Sequence, residues 1–245
     1  MKPLEKDKVR LLRQVRHEMG MGYSLRQDQI DTLSAQWAAY AVPDENDMSE
    51  AFEITLPSGD TTGVQAPRWV FHLFGLPHRT SHVGMATSTG LVLLQKRAPT
   101  KIDWPDAWDM AVAGHVPAGH SFEEGAEKEI SEELGLPLDK REIAFSAAGL
   151  VPIGLPYFSF DMAEDRNPPF YNAELRQLYA AALTPCGFEL LSPDYEELSG
   201  VYLCSPEEAW DILARENVAS GLRYSLPRYL DWLHKINYAI SSNRE

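Results

Sequence analysis

The sequence has few cysteines and no long apolar run. Its 245 residues include two cysteines, Cys186 and Cys204, too few for a framework of disulfides. No apolar stretch approaches the roughly 18 residues that a membrane-spanning helix needs. The charged N-terminal segment, MKPLEKDKVRLLRQVRHEM, lacks the apolar core of a signal peptide. These absences predict a soluble, cytoplasmic protein with no membrane partner.

Basic residues are also scarce. The chain has 22 lysines and arginines against 36 acidic residues, and its formal net charge is −14. A protein that binds nucleic acid non-specifically needs a basic surface to displace counterions, so we expect no nucleic-acid partner. A protein this acidic can still bind phosphate groups if a metal ion or a local cluster of basic residues supplies the positive charge.

The overall composition is that of a folded domain. Hydrophobic residues make up 44% of the chain and charged residues 24%, which excludes a wholly disordered, collagen-like or coiled-coil protein. A length of 245 residues is large for one domain and small for two. The chain is therefore long enough to fold around a sizeable hydrophobic core without disulfides.

The N-terminal part of the sequence is predicted to be helical. Apolar residues recur at helical spacing in 4–19 and again in 26–40, and an acidic, linker-like run follows at 43–47. We therefore predict a helical extension over residues 1–48 and a second domain over 49–245. The extension could be a cap, a surface for a partner, or half of a homodimer interface, and the sequence leaves these alternatives open.

The rest of the chain alternates short strands with helices. Helices are predicted from Pro206 and over 222–240. This pattern predicts an α/β fold in which a mixed sheet is covered by helices, an α/β/α sandwich. The predicted strands are 52–56, 69–74, 82–86, 91–94, 143–151, 157–162, 175–183 and 200–203.

A capped acidic helix is predicted over 122–134. Ser121 and Glu124 have the spacing of a capping box, and Gly135 is a typical stop signal. Ala126, Ile130 and Leu134 form an apolar stripe that would hold this helix on the sheet.

Three glutamates share one face of this helix. Glu129, Glu132 and Glu133 are at positions i, i+3 and i+4, where like charges repel. Magnesium binds oxygen ligands and is commonly shared between carboxylates and substrate phosphates, so the cluster indicates a metal site. The alternative is a solvated glutamate-rich face. The Gly-rich loop 114–119 before the helix favours the metal site.

The segment 114–136 resembles the Nudix box, in which Gly, five residues, Glu and seven residues precede Arg-Glu-apolar-any-Glu-Glu-any-Gly-apolar. His120 replaces the first Glu and Lys128 replaces the Arg. The resemblance implies a Nudix fold and Mg²⁺ or Mn²⁺ as cofactor, bound by the three helix glutamates and the backbone carbonyl of Ala113. The matching residues are Gly114, Glu129, Ile130, Glu132, Glu133, Gly135 and Leu136.

A narrower resemblance, from His78 to Gly135, is to the isopentenyl-diphosphate isomerase branch of this superfamily. Pro77-His78-Arg79, Trp104-Pro105-Asp106-Ala107-Trp108 and Ala113-Gly114-His115 carry it, and 172–181 extends it. The isomerase has a catalytic cysteine where this chain has Ala113, and a second strand glutamate where it has Asn172. These differences indicate a hydrolase.

The two resemblances together imply a metal-dependent hydrolase of a diphosphate bond. The expected substrate is a small molecule, a nucleoside diphosphate linked to another group. Glu129 or Glu174 would be the catalytic base, and Arg97, Lys101 and His115 would bind substrate. His78 and His115 also match two of the metal-binding histidines of the isomerase, and His72 lies near the third without matching it. The alternatives are an isopentenyl-diphosphate isomerase and a weakly catalytic module that binds a nucleotide.

Overall fold

The computed structural model describes residues 4–40, 50–101, 103–136, 144–145 and 149–242. These residues form two compact units, each assembled from several parts of the chain. The first unit draws on Met1–Thr80, His115–Ser121 and Pro156–Arg176, and the second on Ser81–Gly114, Phe122–Leu155 and Gln177–Glu245. The predicted boundary between residues 48 and 49 lies at the edge of a segment outside the described residues and stays a prediction.

The described residues form helices and two β-sheets, which confirms the predicted α/β class. The helices are α1 (Lys6–Met19), α2 (Gln27–Trp37), α3 (Arg68–Phe74), α4 (Phe122–Leu134), α5 (Pro185–Glu189), α6 (Pro206–Arg215) and α7 (Ser220–Ser242). The strands are β1 (Ala51–Thr55), β2 (Thr61–Pro67), β3 (Pro77–Thr87), β4 (Val92–Arg97), β5 (Trp108–Met110), β6 (Val112–His115), β7 (Val151–Pro152), β8 (Tyr157–Ala163), β9 (Phe170–Leu183) and β10 (Leu198–Cys204).

The strands form one small and one large sheet. The small sheet pairs β1 with β2. The large sheet has eight strands in the order β10-β4-β3-β9-β7, with β5 beside β4, β6 beside β3 and β8 beside β9. None of the described helices is both long enough and apolar enough to cross a membrane.

The two N-terminal helices belong to the hydrophobic core of the first unit. Leu12 of α1 and Ile30 of α2 are fully buried, in one cluster with Phe52 of β1 and Phe71 of α3. The apolar stripes that predicted these helices are therefore the faces that they bury. Burial of this kind contributes roughly 1.5–3 kcal/mol for each large apolar side chain.

The predicted strand at 69–74 is wrong, because these residues form helix α3. Every side chain from Trp69 to Phe74 is buried, and a short, continuously apolar run does not distinguish a buried strand from a buried helix. The flanking residues carry the helix signal. Pro67 precedes the first turn, and Gly75, with φ of 69°, donates its backbone N–H to the Phe71 carbonyl at 2.7 Å.

The second unit places α4 and the long helix α7 against strands of the sheet. The predicted bounds of α4 are confirmed, and its apolar stripe of Ala126, Ile130 and Leu134 is buried. Gly84 of β3 lies against α7, since a Cβ there would be 2.4 Å from the ring of Tyr229. Glycine at this position allows the tyrosine ring to pack directly on the strand.

The remaining predicted elements have mixed outcomes. The strands predicted over 157–162, 175–183 and 200–203 fall within β8, β9 and β10. The strand predicted over 143–151 includes residues outside the described ones, and its last residue begins β7.

Candidate functional site

The carboxylate of Glu133 lies where α4 packs on β4 and β6. Its Oε2 accepts a hydrogen bond from Gln95 Nε2 at 3.3 Å and one from the backbone N–H of Ala113 at 3.4 Å. The side chain is buried. Burial, followed by repulsion from Glu129, raises the pKa of Glu133 well above its ordinary value, and the nearby Arg97 opposes this rise.

The side chain of Glu129 lies directly on the backbone of strand β6, at Gly114. A Cβ at Gly114 would be 2.1 Å from Glu129 Cδ and 2.5 Å from its Oε2. Any other residue at position 114 would therefore push this carboxylate away. The first glycine of the motif is explained by this close approach, and not by an unusual backbone angle.

Lys128 makes ion pairs with two of the glutamates. Its Nζ lies 3.4 Å from Glu129 Oε1 and 2.7 Å from Glu132 Oε2. Lys128 occupies the position where the motif has Arg, so this chain retains a basic contact to Glu129 with a different cation. Glu132 is the most exposed of the three carboxylates, at 58% of its side-chain surface.

The end of α4 is held by a loop of the same unit. The Ser192 N–H donates to the Leu134 carbonyl at 2.9 Å, and the Asp194 N–H donates to the Glu133 carbonyl at 3.0 Å. Gly135 has φ of 62°, and a Cβ there would be 2.2 Å from the Ser192 carbonyl oxygen. Glycine at 135 thus ends the helix and admits this loop, which anchors the backbone of Glu133.

The three glutamates suit a hard divalent cation. Two of them are largely withdrawn from water, and their mutual repulsion needs a compensating positive charge. Carboxylate oxygen is the donor that Mg²⁺ and Mn²⁺ prefer. These residues therefore fit the metal that the motif implies, and the Ala113 carbonyl as a further ligand stays a prediction.

Of the two basic residues predicted to bind substrate, Arg97 is the one whose charge acts on Glu133. Its Nε and Nη2 donate to the Asp103 carbonyl at 3.3 and 3.1 Å, and its Nη1 is 3.9 Å from Asp109 Oδ2. Lys101 pairs with Glu197. Both side chains are thus held by other groups of the second unit, and their contact with substrate stays a prediction.

The first unit contains a cluster of three histidines, His72 of α3, His78 of β3 and His115 of β6. One ring nitrogen from each lies within 4.8 Å of the other two. His72 and His78 are buried, and neither Nε2 has a hydrogen-bond partner within the described structure. His78 Nδ1 lies 3.0 Å from the Leu76 carbonyl, which leaves the lone pair on Nε2.

Two of the three rings, those of His72 and His78, have the charge state of metal ligands. Burial lowers the pKa of His72 well below its ordinary value, and the charges of Arg68 and His78 act in the same direction. Burial also lowers the pKa of His78. Neutral imidazoles are the ligands that first-row transition metals such as Zn²⁺ prefer, so the three rings fit such an ion.

Glu174 lies in the first unit beside these histidines. Its Oε1 accepts a hydrogen bond from Asn172 Nδ2 at 2.8 Å and is 3.8 Å from His115 Nε2. Its Oε2 pairs with Arg176, which is almost completely buried and is also 3.6 Å from Asp161 Oδ2. The structure thus places Glu174 and His115 together in the first unit. Ala113, Glu129, Glu132, Glu133, Arg97 and Lys101 belong to the second unit.

Sequence reasoning placed His72 near a metal-binding position of the isomerase but did not match it to one. A strand over 69–74 would not bring His72 close to His78. Helix α3 and the turn at Gly75 do so, and the two rings lie against each other. The helix signals at Pro67 and Gly75 could have revealed it.

A family model described as the NUDIX domain matches residues 77–229, well over half of the chain. The chain therefore belongs to the Nudix family. The predicted likeness to isopentenyl-diphosphate isomerases is also confirmed. The chain is 28% identical over 149 residues to an isopentenyl-diphosphate Delta-isomerase of Cutibacterium acnes, across 60% of this chain and 70% of that protein.

Other curated proteins and one solved structure are also similar to this chain. The chain is 33% identical over 172 residues, or 69% of its length, to Nudix hydrolase 3 of Arabidopsis thaliana, but it spans only 21% of that protein. It spans 37% of the next two curated relatives. The crystal structure of DR0079 from Deinococcus radiodurans has the same fold, with a TM-score of 0.51 at 20% identity over 73% of this chain and 98% of that one.

Proposed function

We propose that this protein hydrolyses a diphosphate bond with Mg²⁺ or Mn²⁺ held by Glu129, Glu132 and Glu133. The observation that carries the proposal is the buried carboxylate of Glu133, held beside Glu129 by Gln95 and the Ala113 N–H. The segment that carries α4 resembles the Nudix box, and the family match together with a relative named as a Nudix hydrolase supports the proposal. The proposed substrate is a nucleoside diphosphate linked to another group.

Each carboxylate has a distinct role in this proposal. When bound, the divalent cation supplies charge neutralisation for the diphosphate and lowers the pKa of the attacking water. Glu132 and Glu133 are ligands, and the Ala113 carbonyl adds an oxygen donor beside them. Glu129 is either a further ligand or the base that accepts the proton of the water.

The contacts of Glu174 favour Glu129 as the base. A general base needs a lone pair directed at the proton that it removes. One oxygen of Glu174 accepts a hydrogen bond from Asn172, and the other forms an ion pair with Arg176. Proton transfer from water to Glu174 would weaken its pairing with the buried guanidinium.

Basic side chains would hold the phosphate groups. Arg97 is held by the Asp103 carbonyl through two N–H groups, which fixes the plane of its guanidinium. A guanidinium fixed in this way can bind phosphate oxygens in two-point contacts. Lys101 and His115 are the further substrate-binding residues of the proposal.

Two alternatives predict different products. An isomerase of isopentenyl diphosphate needs a proton donor and acceptor at position 113, and the methyl group of Ala113 can do neither. A nucleotide-binding module without turnover would bind substrate and release no phosphate.

The experiment incubates nucleotide sugars, dinucleotides, nucleoside triphosphates and coenzyme diphosphates with Mg²⁺ and with Mn²⁺, and chromatography of the products detects cleavage between the phosphorus atoms. In water enriched in oxygen-18, attack on phosphorus places the label in one phosphate product. Turnover should fall at least about a hundredfold in Glu133→Gln and stay unchanged in Glu123→Gln, a matched change on an exposed position of α4. Allylic product from isopentenyl diphosphate, or no metal-dependent turnover of any compound, would overturn the proposal.

A further inference from the structure

Strand β8 presents an apolar face to solvent. Phe158, Phe160 and Met162 are exposed over 46%, 38% and 63% of their surface. Alternate residues of a strand point to one face, so these three side chains form a continuous apolar row. Single exposed apolar residues are common on protein surfaces, whereas a contiguous group of them indicates a contact surface.

The same strand lies at the edge of its sheet. Among the described strands, β8 pairs with β9 and with no other. This pairing runs unbroken over the whole of β8, without a bulge. Proteins usually protect an edge strand with lysine, proline or a bulge, because an edge can pair with a strand of another chain. The segment YFSFDMA of β8 contains none of these features, so the strand can accept a further strand.

The sequence of β8 is complementary to itself. In an antiparallel pair of two β8 strands with Phe160 on the twofold axis, Phe158 lies opposite Met162 of the second copy. The two Phe160 side chains then face each other, and Asp161 lies opposite Ser159. With Asp161 on the axis, two carboxylates would instead face each other, which is unfavourable. The single charge of the strand therefore favours the register that matches the apolar rows.

The apolar surface of this row fits a weak, reversible dimer. At roughly 200 Å² for each large side chain, its exposed parts amount to about 300 Å² per copy. Two copies would bury about 600 Å² from these side chains, and the paired backbones bring the total toward the roughly 1,000 Å² of a small specific interface. The N-terminal helices are less suitable, because Leu12 and Ile30 of their apolar stripes are already buried in the first unit.

We propose that two copies of this protein form a dimer by antiparallel pairing of their β8 strands about a twofold axis at Phe160. The dimer is reversible, with a Kd in the micromolar range, and the sheet continues from one copy into the other. A second copy is the partner because both the apolar row and the charge of Asp161 are complementary to the same strand. This inference does not depend on the proposed hydrolysis.

The first test measures the dimer in solution. Sedimentation equilibrium of the full chain over about 1–300 μM gives the Kd of the wild-type protein. Phe160→Lys places two lysines opposite each other on the axis, and we expect it to raise the Kd at least about a hundredfold. The side chain of Phe160 is exposed in the single chain, so the variant should fold, and circular dichroism and the urea midpoint check this.

Phe188→Lys is the matched control for the first test. Phe188 is a phenylalanine of α5 with a similar exposure, 44%, and it lies outside β8. We expect its dimer Kd to stay within about threefold of the wild-type value. Two results would overturn the proposal. A wild-type protein that stays monomeric over the whole range would leave the row for another partner, and a dimer that Phe160→Lys leaves intact would be formed by another surface.

The second test determines the register by disulfide formation, in a Cys186→Ser background because Cys186 is exposed. Directly opposite residues of an antiparallel pair have Cα atoms about 4.5–5.5 Å apart, which a disulfide can bridge. Phe160→Cys should therefore cross-link to itself under mild oxidation. Phe158→Cys and Met162→Cys should cross-link only when the two variants are mixed, because each lies about 13 Å along the strand from its own copy.

The disulfide test does not depend on the lysine variant. Cysteine is small and uncharged, so Phe160→Cys should fold even if a lysine at this position destabilises the single chain. A folded Phe160→Cys protein that forms no covalent dimer would contradict the proposed axis. The proposal would also be wrong if the mixture of Phe158→Cys and Met162→Cys cross-links no more than either variant alone.

Discussion

Replacement of Glu133 by glutamine should stabilise the protein without metal and abolish its activity with metal. The side chain is only 6% exposed, and burial followed by the charge of Glu129 raises its pKa well above the ordinary value. The amide has nearly the same shape, and its oxygen can accept the hydrogen bonds from Gln95 and the Ala113 N–H. The substitution therefore removes a buried charge and little else.

The direction of the pH dependence follows from the raised pKa of Glu133. A group whose pKa is higher in the folded state favours folding at low pH, and this contribution is lost as pH rises through the folded-state pKa. Wild-type and Glu133→Gln should therefore be similarly stable near pH 4 and diverge above it. We expect the variant to gain about 1–2 kcal/mol in the free energy of unfolding at pH 8 in EDTA. For a chain of this size that is a rise in Tm of about 2–8 °C.

In the presence of metal, the wild-type protein should be more stable than Glu133→Gln. A ligand present at a hundred times its Kd stabilises the folded state by about 2.7 kcal/mol, so Mg²⁺ or Mn²⁺ should raise the stability of the wild type far more than that of the variant. Urea unfolding at pH 4 and pH 8 in EDTA measures the first effect, and unfolding at pH 8 in each metal measures the second, with Glu123→Gln as the control. The reasoning is refuted if Glu133→Gln is the less stable protein at pH 8 in EDTA, or if it keeps most of the hydrolytic rate.

Three other substitutions test neighbouring parts of the structure. Gly114→Ala should lower metal-dependent turnover at least about tenfold, because its methyl group would displace Glu129; a normal rate would contradict the close approach. Arg97→Gln should raise KM about tenfold or more with a smaller change in kcat, whereas Lys101→Gln should raise KM less. An equal rise of KM in the two variants would argue against Arg97 as the main residue that binds the phosphate groups. Gly84→Ala should cost about 1–3 kcal/mol of stability in urea unfolding, because its methyl group would meet a tyrosine ring of α7; an unchanged midpoint would show that the helix can shift.

The acidic helix could be predicted because its signals are local. The spacing of its apolar residues and the glycine at its end set the bounds 122–134, which the structure has as Phe122–Leu134. A helix brings residues i, i+3 and i+4 to one face wherever it lies in a protein. The side-by-side placement of Glu129, Glu132 and Glu133 therefore needed no tertiary information.

The different environments of these glutamates could not be predicted in the same way. Helical periodicity predicts that the three carboxylates share one face, and it does not predict which of them is buried. Their burial depends on the strands that α4 meets, and only the fold places Gln95 and Ala113 against Glu133 while leaving Glu132 largely in water. The same is true of Gly114, whose lack of a side chain is explained by Glu129, a residue fifteen positions later in the chain.

The sequence by itself determined the Nudix motif, the acidic helix and the amphipathic N-terminal helices, since each depends on contacts within a few residues. Only the tertiary structure decided that α3 is a helix, that His72 joins His78 and His115, and that Glu174 is bound by Arg176. These groups come from distant segments of the chain. Strand pairing and side-chain packing bring these groups together. Pairing and packing depend on which residues the whole unit buries, so they leave no periodic pattern in the sequence.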